Sequence, residues 1–187
     1  VSILATDALV QNLPIRIIFS MQTGTLLKAF EKYVERHELF SHEDKILLTV
    51  SGGVDSMVML SIFVRLGYNV GVAHCNFCLR GEESDQDTVM VERECEKLGI
   101  VCHSKRFDTT GEMERTGDSM EMTARRLRYE WFHELCEEEG YNVIAVAHHA
   151  NDSIETFFIN LLRGTGLRGL TGINRQYGRV VRPLLYA

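Results

Sequence analysis

No run of 18 apolar residues occurs anywhere in the chain, which excludes a membrane-spanning helix. Proline is limited to two residues, and there is no internal repeat and no low-complexity tract. The first twenty residues lack a basic leading segment and a small-residue cleavage site, so they do not form a secretory signal. Cysteine is present five times, an odd count without a second CxxC pair beside Cys75-Asn-Phe-Cys78. That pattern excludes a disulfide framework and a four-cysteine zinc site, and it fits a reducing, cytoplasmic setting. Acidic residues are missing after Glu155, where Arg163, Arg168, Arg175, Arg179 and Arg182 follow. The net charge of −6 nevertheless argues against a domain that coats nucleic acid without specificity.

What remains is an ordinary globular composition, 45% hydrophobic and 25% charged, over 187 residues. That length suits one domain with a sizeable core. Met21 opens a cleaner helical pattern than the residues before it. We therefore expect residues 1–20 to be a leader or an expression-derived segment and residues 21–187 to be the domain. The final Arg182-Pro-Leu-Leu-Tyr-Ala187 reads as a chain cut short, with further C-terminal domains missing.

Strand and helix patterns alternate along that domain. Leu26, Leu27, Phe30, Val34 and Phe40 recur at roughly helical spacing, and Lys45–Val50 is a short apolar run suited to a buried parallel strand. Met57–Leu66 reads as a buried helix, Tyr68–His74 as a strand, Ser84–Leu98 as a helix and Ile100–Phe107 as a strand. Residues 108–118 read as a surface loop. Ser119–Glu139 reads as a long helix ended by Gly140. Tyr141–Ala147 is a further strand, Asp152–Arg163 a further helix, and Gly164–Gly172 a glycine-dense loop. The expected fold is α/β, a doubly wound and mostly parallel sheet with helices on both faces. Loops 51–56, 74–83 and 147–152 leave strands at their carboxyl ends and should share one crevice.

Ser51-Gly-Gly-Val-Asp-Ser56 sits between a buried strand and a buried helix. Two glycines permit a sharp turn and a close ligand approach. Successive N–H groups at a helix N-terminus make an anion site suited to phosphate, so Ser51, Gly52, Gly53, Val54, Asp55 and Ser56 are candidate ATP contacts. Ser51 and Ser56 can donate to the same oxygens. The carboxylate of Asp55 would repel phosphate unless Mg²⁺ lies between them, which makes Asp55 the candidate metal ligand. No lysine follows the loop, so the Walker A pattern is absent.

A strand, SGGxDS and a helix resemble the PP-loop ATP pyrophosphatase superfamily, whose fold is adenine nucleotide alpha hydrolase-like and Rossmann-like. Five later segments resemble one branch, the tRNA(Ile)-lysidine synthetases. His74-Cys-Asn-Phe-Cys-Leu-Arg-Gly-Glu-Glu-Ser84 is similar to HxNHxLRGxxS, and Glu121–Tyr129 to ExxARxxRY. Ala147–Thr156 is similar to AHHxDDxxET, and Leu162–Leu167 with Arg182–Leu185 follow in the family's order. The likeness runs over about residues 24–185. Phe77 departs from the family's second histidine, and Asn151 from the first of its two acids, which puts the charge requirement on Asp152.

The resemblance implies ATP-dependent adenylation of C2 of the wobble cytidine in an isoleucine tRNA with a CAU anticodon. Free L-lysine then displaces AMP to give lysidine. It also implies ATP and Mg²⁺ as cofactors and leaves a homodimer open. Catalytic roles would fall to Asp55, Arg125, Asp152 and Glu155. Asp152 and Glu155 lie on one face of a helix start, where they can hold the lysine ammonium or Mg²⁺, or simply complement the helix dipole. Arg125 and Arg128 share a helix face and can clamp phosphate or tRNA backbone, or remain surface arginines. His74 is assigned to the nucleotide, with a satisfied interior histidine as the alternative. Arg80, His148 and Arg163 are assigned to substrate, with loop anchoring the alternative for Arg80. His148 and His149 both fall in the crevice region. Competing classes are a tRNA thiolase using Cys75 and Cys78, and a nucleotide-binding module without catalysis.

Overall fold

The computed structural model describes residues 23–152 and 173–186. Helix α1 (Thr23–Arg36) precedes strand β1 (Lys45–Thr49), and α2 (Val54–Arg65) leads to β2 (Asn69–Asn76). Next come α3 (Glu82–Leu98), β3 (Cys102–Arg106), α4 (Thr109–Thr116), α5 (Met120–Glu139) and β4 (Val143–Val146). A short hairpin, β5 (Gln176–Tyr177) and β6 (Val180–Val181), ends the described chain.

The sheet has six strands in the order β3-β2-β1-β4-β6-β5, all neighbours parallel except the β5–β6 pair. Alternation along β1 explains the two-sided core. Ile46 and Leu48 pack with Phe30, Phe63 and Met59 on one face. Leu47, from the opposite pleat, packs with Trp131, Phe132 and Ile144 on the other. Helices α1 and α2 thus cover one face and α5 the other.

The chain reverses its direction of travel across the sheet between β1 and β4. Loops leaving the carboxyl ends of these two strands flank that switch point, where ligands bind in open α/β sheets. Helix α5 begins and ends as its sequence predicts. Ser119 accepts a hydrogen bond from the Met122 N–H, and Gly140 closes the helix at φ 74°.

Residues 108–118 are a correction, because they form helix α4 rather than a loop. Asp108 caps it by accepting from the Gly111 N–H at 3.0 Å, and Gly117 ends it at φ 74°. Within it Glu112 pairs with Arg115 and with Arg126 of α5. Two cap signals and a cross-helix ion pair outweigh a composition that favours loop. Of the expected helix at 152–163 only Asp152 falls within the described residues; the remainder, like the glycine-dense stretch, lies outside them.

Gly71 on β2 faces the Tyr141 side chain so closely that an added Cβ would coincide with the hydroxyl and lie 2.7 Å from Cζ. Tyr141 is buried and its hydroxyl is 3.0 Å from His103 Nε2, so it cannot easily yield. Gly71→Ala should cost about 1–3 kcal/mol. A thermal midpoint lowered by roughly 3–10 °C, read by calorimetry, checks this.

Candidate active site

The crevice over the β1–β4 switch point is a cavity of about 420 Å³ lined from one end by Ser51, Ser56 and His74 and from the other by Arg128, Tyr129 and His148. All three loops expected to converge there contribute lining residues. Gly52, Gly53, Val54 and Asp55 are not among them and form the adjoining rim.

The loop's shape follows from its own hydrogen bonds. Gly52 adopts φ +92°, a conformation that side chains other than glycine rarely take. Ser51 N–H donates to Ser56 Oγ at 3.2 Å, and Gly53 N–H donates to Ser51 Oγ at 3.3 Å. The buried Ser56 hydroxyl donates to the Gly53 carbonyl at 2.8 Å. This engagement differs from the expectation that Ser56 donates outward, since its single proton is committed within the turn. Gly53 caps α2 without any side-chain hydrogen bond. The N–H groups of Val54, Asp55 and Ser56 therefore meet the rim without intrahelical partners, as first-turn donors do. That arrangement suits an anion.

His74 holds this turn from behind. Its Nδ1 lies 2.8 Å from the Val50 carbonyl and its Nε2 3.1 Å from Thr88 Oγ1, and the residue is 2% exposed. Both ring nitrogens thus serve protein groups. These bonds are those of the interior alternative for His74 and fix the residue before the loop, while the residue also lines the cavity.

Arg80 both lines the cavity and anchors its own loop. Its guanidinium reaches Glu83 and Asp87, each at 2.7 Å. Asp87 in turn packs against Gly52, so α3 ties Arg80 to the glycine turn. Asp87 went unnoticed in the sequence because it sits in an acidic stretch that reads as solvated surface.

Arg128 lies over the Phe77 ring at 5.2 Å, and Arg125 over the Tyr129 ring at 5.3 Å. Phe77 itself stacks on Phe107 with centroids 5.2 Å apart. The position where the family's second histidine is replaced is therefore an aromatic seat for Arg128. Arg125 is exposed and outside the cavity lining, yet its charge acts on His148 together with that of Arg128. Burial, and then Arg182, keeps His148 below the usual histidine range, with Asp152 opposing.

His149 joins the two acids assigned to chemistry. Its Nε2 lies 3.7 Å from Asp55 Oδ2 and 3.8 Å from Asp152 Oδ1. Its backbone N–H donates to Asp152 Oδ2 at 2.9 Å, the reciprocal bond of a capping box. Asp152 therefore does serve the helix start, and through His149 it adjoins the glycine turn. Glu155 and Arg163 lie outside the described residues.

Among the described residues no group of three or more His, Cys, Asp or Glu side chains is placed to hold a metal ion. Asp55, 60% exposed, presents a hard oxygen donor at the rim, and Mg²⁺ is commonly held by one or two carboxylates plus substrate phosphates. The residues present fit that mode.

Residues 22–187 match a family model described as a PP-loop domain. The chain belongs to the PP-loop family. It is 49% identical over 154 residues to a tRNA(Ile)-lysidine synthase of Bacteroides thetaiotaomicron, covering 82% of this chain and 36% of that protein. A tRNA(Ile)-lysidine synthase of Chlorobaculum tepidum is 46% identical over 162 residues, covering 84% of this chain and 49% of that one. The chain thus spans about a third to a half of the length of these curated relatives. Among solved structures, the U34-tRNA thiolase NcsA from Methanococcus maripaludis, with its [4Fe-4S] cluster, superposes with a TM-score of 0.67 at 18% identity. That overlap covers 87% of this chain and 59% of the thiolase. An NH3-dependent NAD synthetase from Campylobacter jejuni gives 0.55 at 14%, covering 88% and 68%. At such identities the likeness is one of fold.

The cysteines of this PP-loop domain give the thiolase reading no support. Burial raises the Cys75 thiol to about 12, so it is protonated at neutral pH and a poor nucleophile. Replacing Cys75 and Cys78 together with serine should leave nucleotide turnover within a few-fold of the parent. Anaerobic iron and sulfide analysis should find neither element in the parent protein.

Proposed function

We propose that this chain is the catalytic PP-loop domain of a tRNA(Ile)-lysidine synthetase, a carbon–nitrogen ligase of the cytoplasm. The observation that carries this reading is the identity of 46–49% to proteins of that name across the elements that build the crevice. In the first step the O2 atom of the wobble cytidine, position 34 of an isoleucine tRNA with a CAU anticodon, attacks the α-phosphorus of ATP. Pyrophosphate leaves and an adenylate forms at C2. In the second step the ε-amine of free L-lysine attacks C2, AMP departs, and loss of a proton yields lysidine.

The residues divide these tasks by position. The N–H groups of Val54, Asp55 and Ser56, presented by Gly52 and Gly53, bind phosphate oxygens, and Ser51 borders them. Asp55 would hold Mg²⁺, whose charge offsets that of the phosphates when bound. Arg80 and Arg128 face the crevice as cations suited to phosphate, and Arg125 adds long-range charge. Asp152, with Glu155 and Arg163 in the segment beyond it, would handle lysine and tRNA. No described helix is long and apolar enough to cross a membrane, in keeping with a tRNA-modifying role.

Incubation with labelled ATP, L-lysine and bulk bacterial tRNA, followed by nucleoside analysis, tests the proposal. Lysidine with stoichiometric AMP and pyrophosphate is expected. Thiolated nucleosides, or bound ATP without AMP under every substrate set, would overturn it.

A further inference from the structure

Arg182 was read from the sequence as one of a C-terminal arginine set and as the start of the Arg182–Leu185 segment, without a role of its own. In the fold it is 8% exposed, set beneath the crevice by the β5–β6 hairpin. Its backbone N–H donates to the Arg175 carbonyl at 2.9 Å. Two residues on, Leu184 bridges to His149 in parallel register, which draws this segment alongside the loop leaving β4. The guanidinium is held at two points. Nη1 donates to the Asn174 carbonyl at 2.6 Å, and Nε donates to His148 Nδ1 at 3.1 Å.

The last contact has a chemical consequence. Arginine has only donors and no acceptor, so the Nδ1 it meets must offer a lone pair. A neutral imidazole that accepts at Nδ1 carries its proton on Nε2. A doubly protonated ring would set N–H against N–H and place two cations in contact. We propose that Arg182 is a positioning residue that fixes His148 as a neutral imidazole with its proton on Nε2, making it a hydrogen-bond donor to the crevice rather than a general base.

Two further observations agree with this assignment. His148 lines the cavity. The positive groups around it, Arg182 on the hairpin with Arg125 and Arg128 on α5, outnumber the single acid, Asp152, that acts on it. The role rests on the reaction proposed above, in which negative charge must be managed at the phosphoryl group and at the adenylated base. An Nε2–H donor aimed at such an oxygen stabilises it without proton transfer. The proton-accepting role would need a free ring nitrogen, and Nδ1 is already engaged by Arg182.

Nitrogen-15 NMR of protein labelled in its histidines tests the assignment directly, with the His148 signals identified by their loss in His148→Gln. Nδ1 without a proton and Nε2 with one is the expected pattern at neutral pH, and Arg182→Met should erase that preference. A proton on Nδ1 in the wild-type protein, or an unchanged pattern in Arg182→Met, overturns the proposal. If Arg182→Met does not fold, the wild-type spectrum decides alone. In the AMP-forming assay Arg182→Met should lower kcat about tenfold or more with the KM for ATP little changed. His148→Gln, which keeps a donor but offers no base, should retain roughly tenfold more activity than His148→Ala, since one such donor contributes on the order of a hundredfold. Equal loss in both His148 variants overturns the donor role. Absence of AMP formation by the wild-type enzyme would instead remove the proposed reaction, while the NMR result still settles the tautomer.

Discussion

Asp55→Asn is expected to reduce ATP turnover by about a thousandfold while leaving the fold almost untouched. The carboxylate stands in the first turn of α2 beside the N–H groups proposed to bind phosphate, and its side chain is 60% exposed. A negative group there opposes ATP binding by itself, so its presence makes physical sense when Mg²⁺ is shared between it and the phosphates. Losing that shared ion removes several kcal/mol of charge stabilisation, and a factor of a thousand corresponds to about 4 kcal/mol. The structural cost is much smaller. An acid in a helix's first turn contributes about 0.3–1 kcal/mol through the dipole, and the mostly exposed carboxylate stands 3.7 Å from His149 Nε2. The asparagine variant should therefore melt within a few degrees of the parent. Pyrophosphate release and calorimetry on the same sample separate the two effects. Normal release with an unchanged Mg²⁺ requirement would show that Asp55 holds no metal.

The glycine turn was legible because its signal is local. Two glycines between an apolar strand and an apolar helix leave few alternatives, and the β1–α2 junction has the expected form. Strand β1 and helix α5 were legible for related reasons, a short buried run in one case and a capped amphipathic stretch in the other. Helix α4 was not, because its stability comes from Asp108, Gly117 and an ion pair to α5 rather than from an apolar stripe. The β5–β6 hairpin escaped notice because strands of two residues carry no periodicity. Its importance lies in what it delivers. Arg182 and His148 are 34 residues apart in sequence, and neither spacing nor composition reveals that they meet. His149 illustrates the same limit. Its place between Asp55 and Asp152 depends on two different strands ending side by side, which the strand order creates and the local pattern does not.

Replacing Asp152 and Glu155 together, by asparagine and glutamine, should abolish efficient lysine use while sparing ATP binding. Lysine carries an ammonium group that fixed carboxylates recognise by charge-assisted hydrogen bonds, whereas the phosphates of ATP are repelled by the same charges. Each such bond contributes about 1.5–3 kcal/mol, so losing two corresponds to roughly a hundred- to ten-thousandfold. The expected phenotype is a steep rise in the lysine concentration required, with adenylated tRNA accumulating because the first step does not consume lysine. The structure sharpens the competing account. Asp152 lies within reach of His149 Nε2, as does Asp55, so a metal shared between the two acids is a definite alternative. The single variants tell these apart. If Asp152 serves lysine, Asp152→Asn raises the lysine requirement about ten- to a hundredfold and leaves adenylation near the parent rate, apart from a small loss of stability from the capping bond to His149. If it serves the metal, adenylation falls with ATP affinity, the lysine requirement stays put, and the variant behaves like Asp55→Asn. Measuring both half-reactions across these variants, with magnesium titrated in each, assigns the carboxylate to the amino acid or to the phosphates.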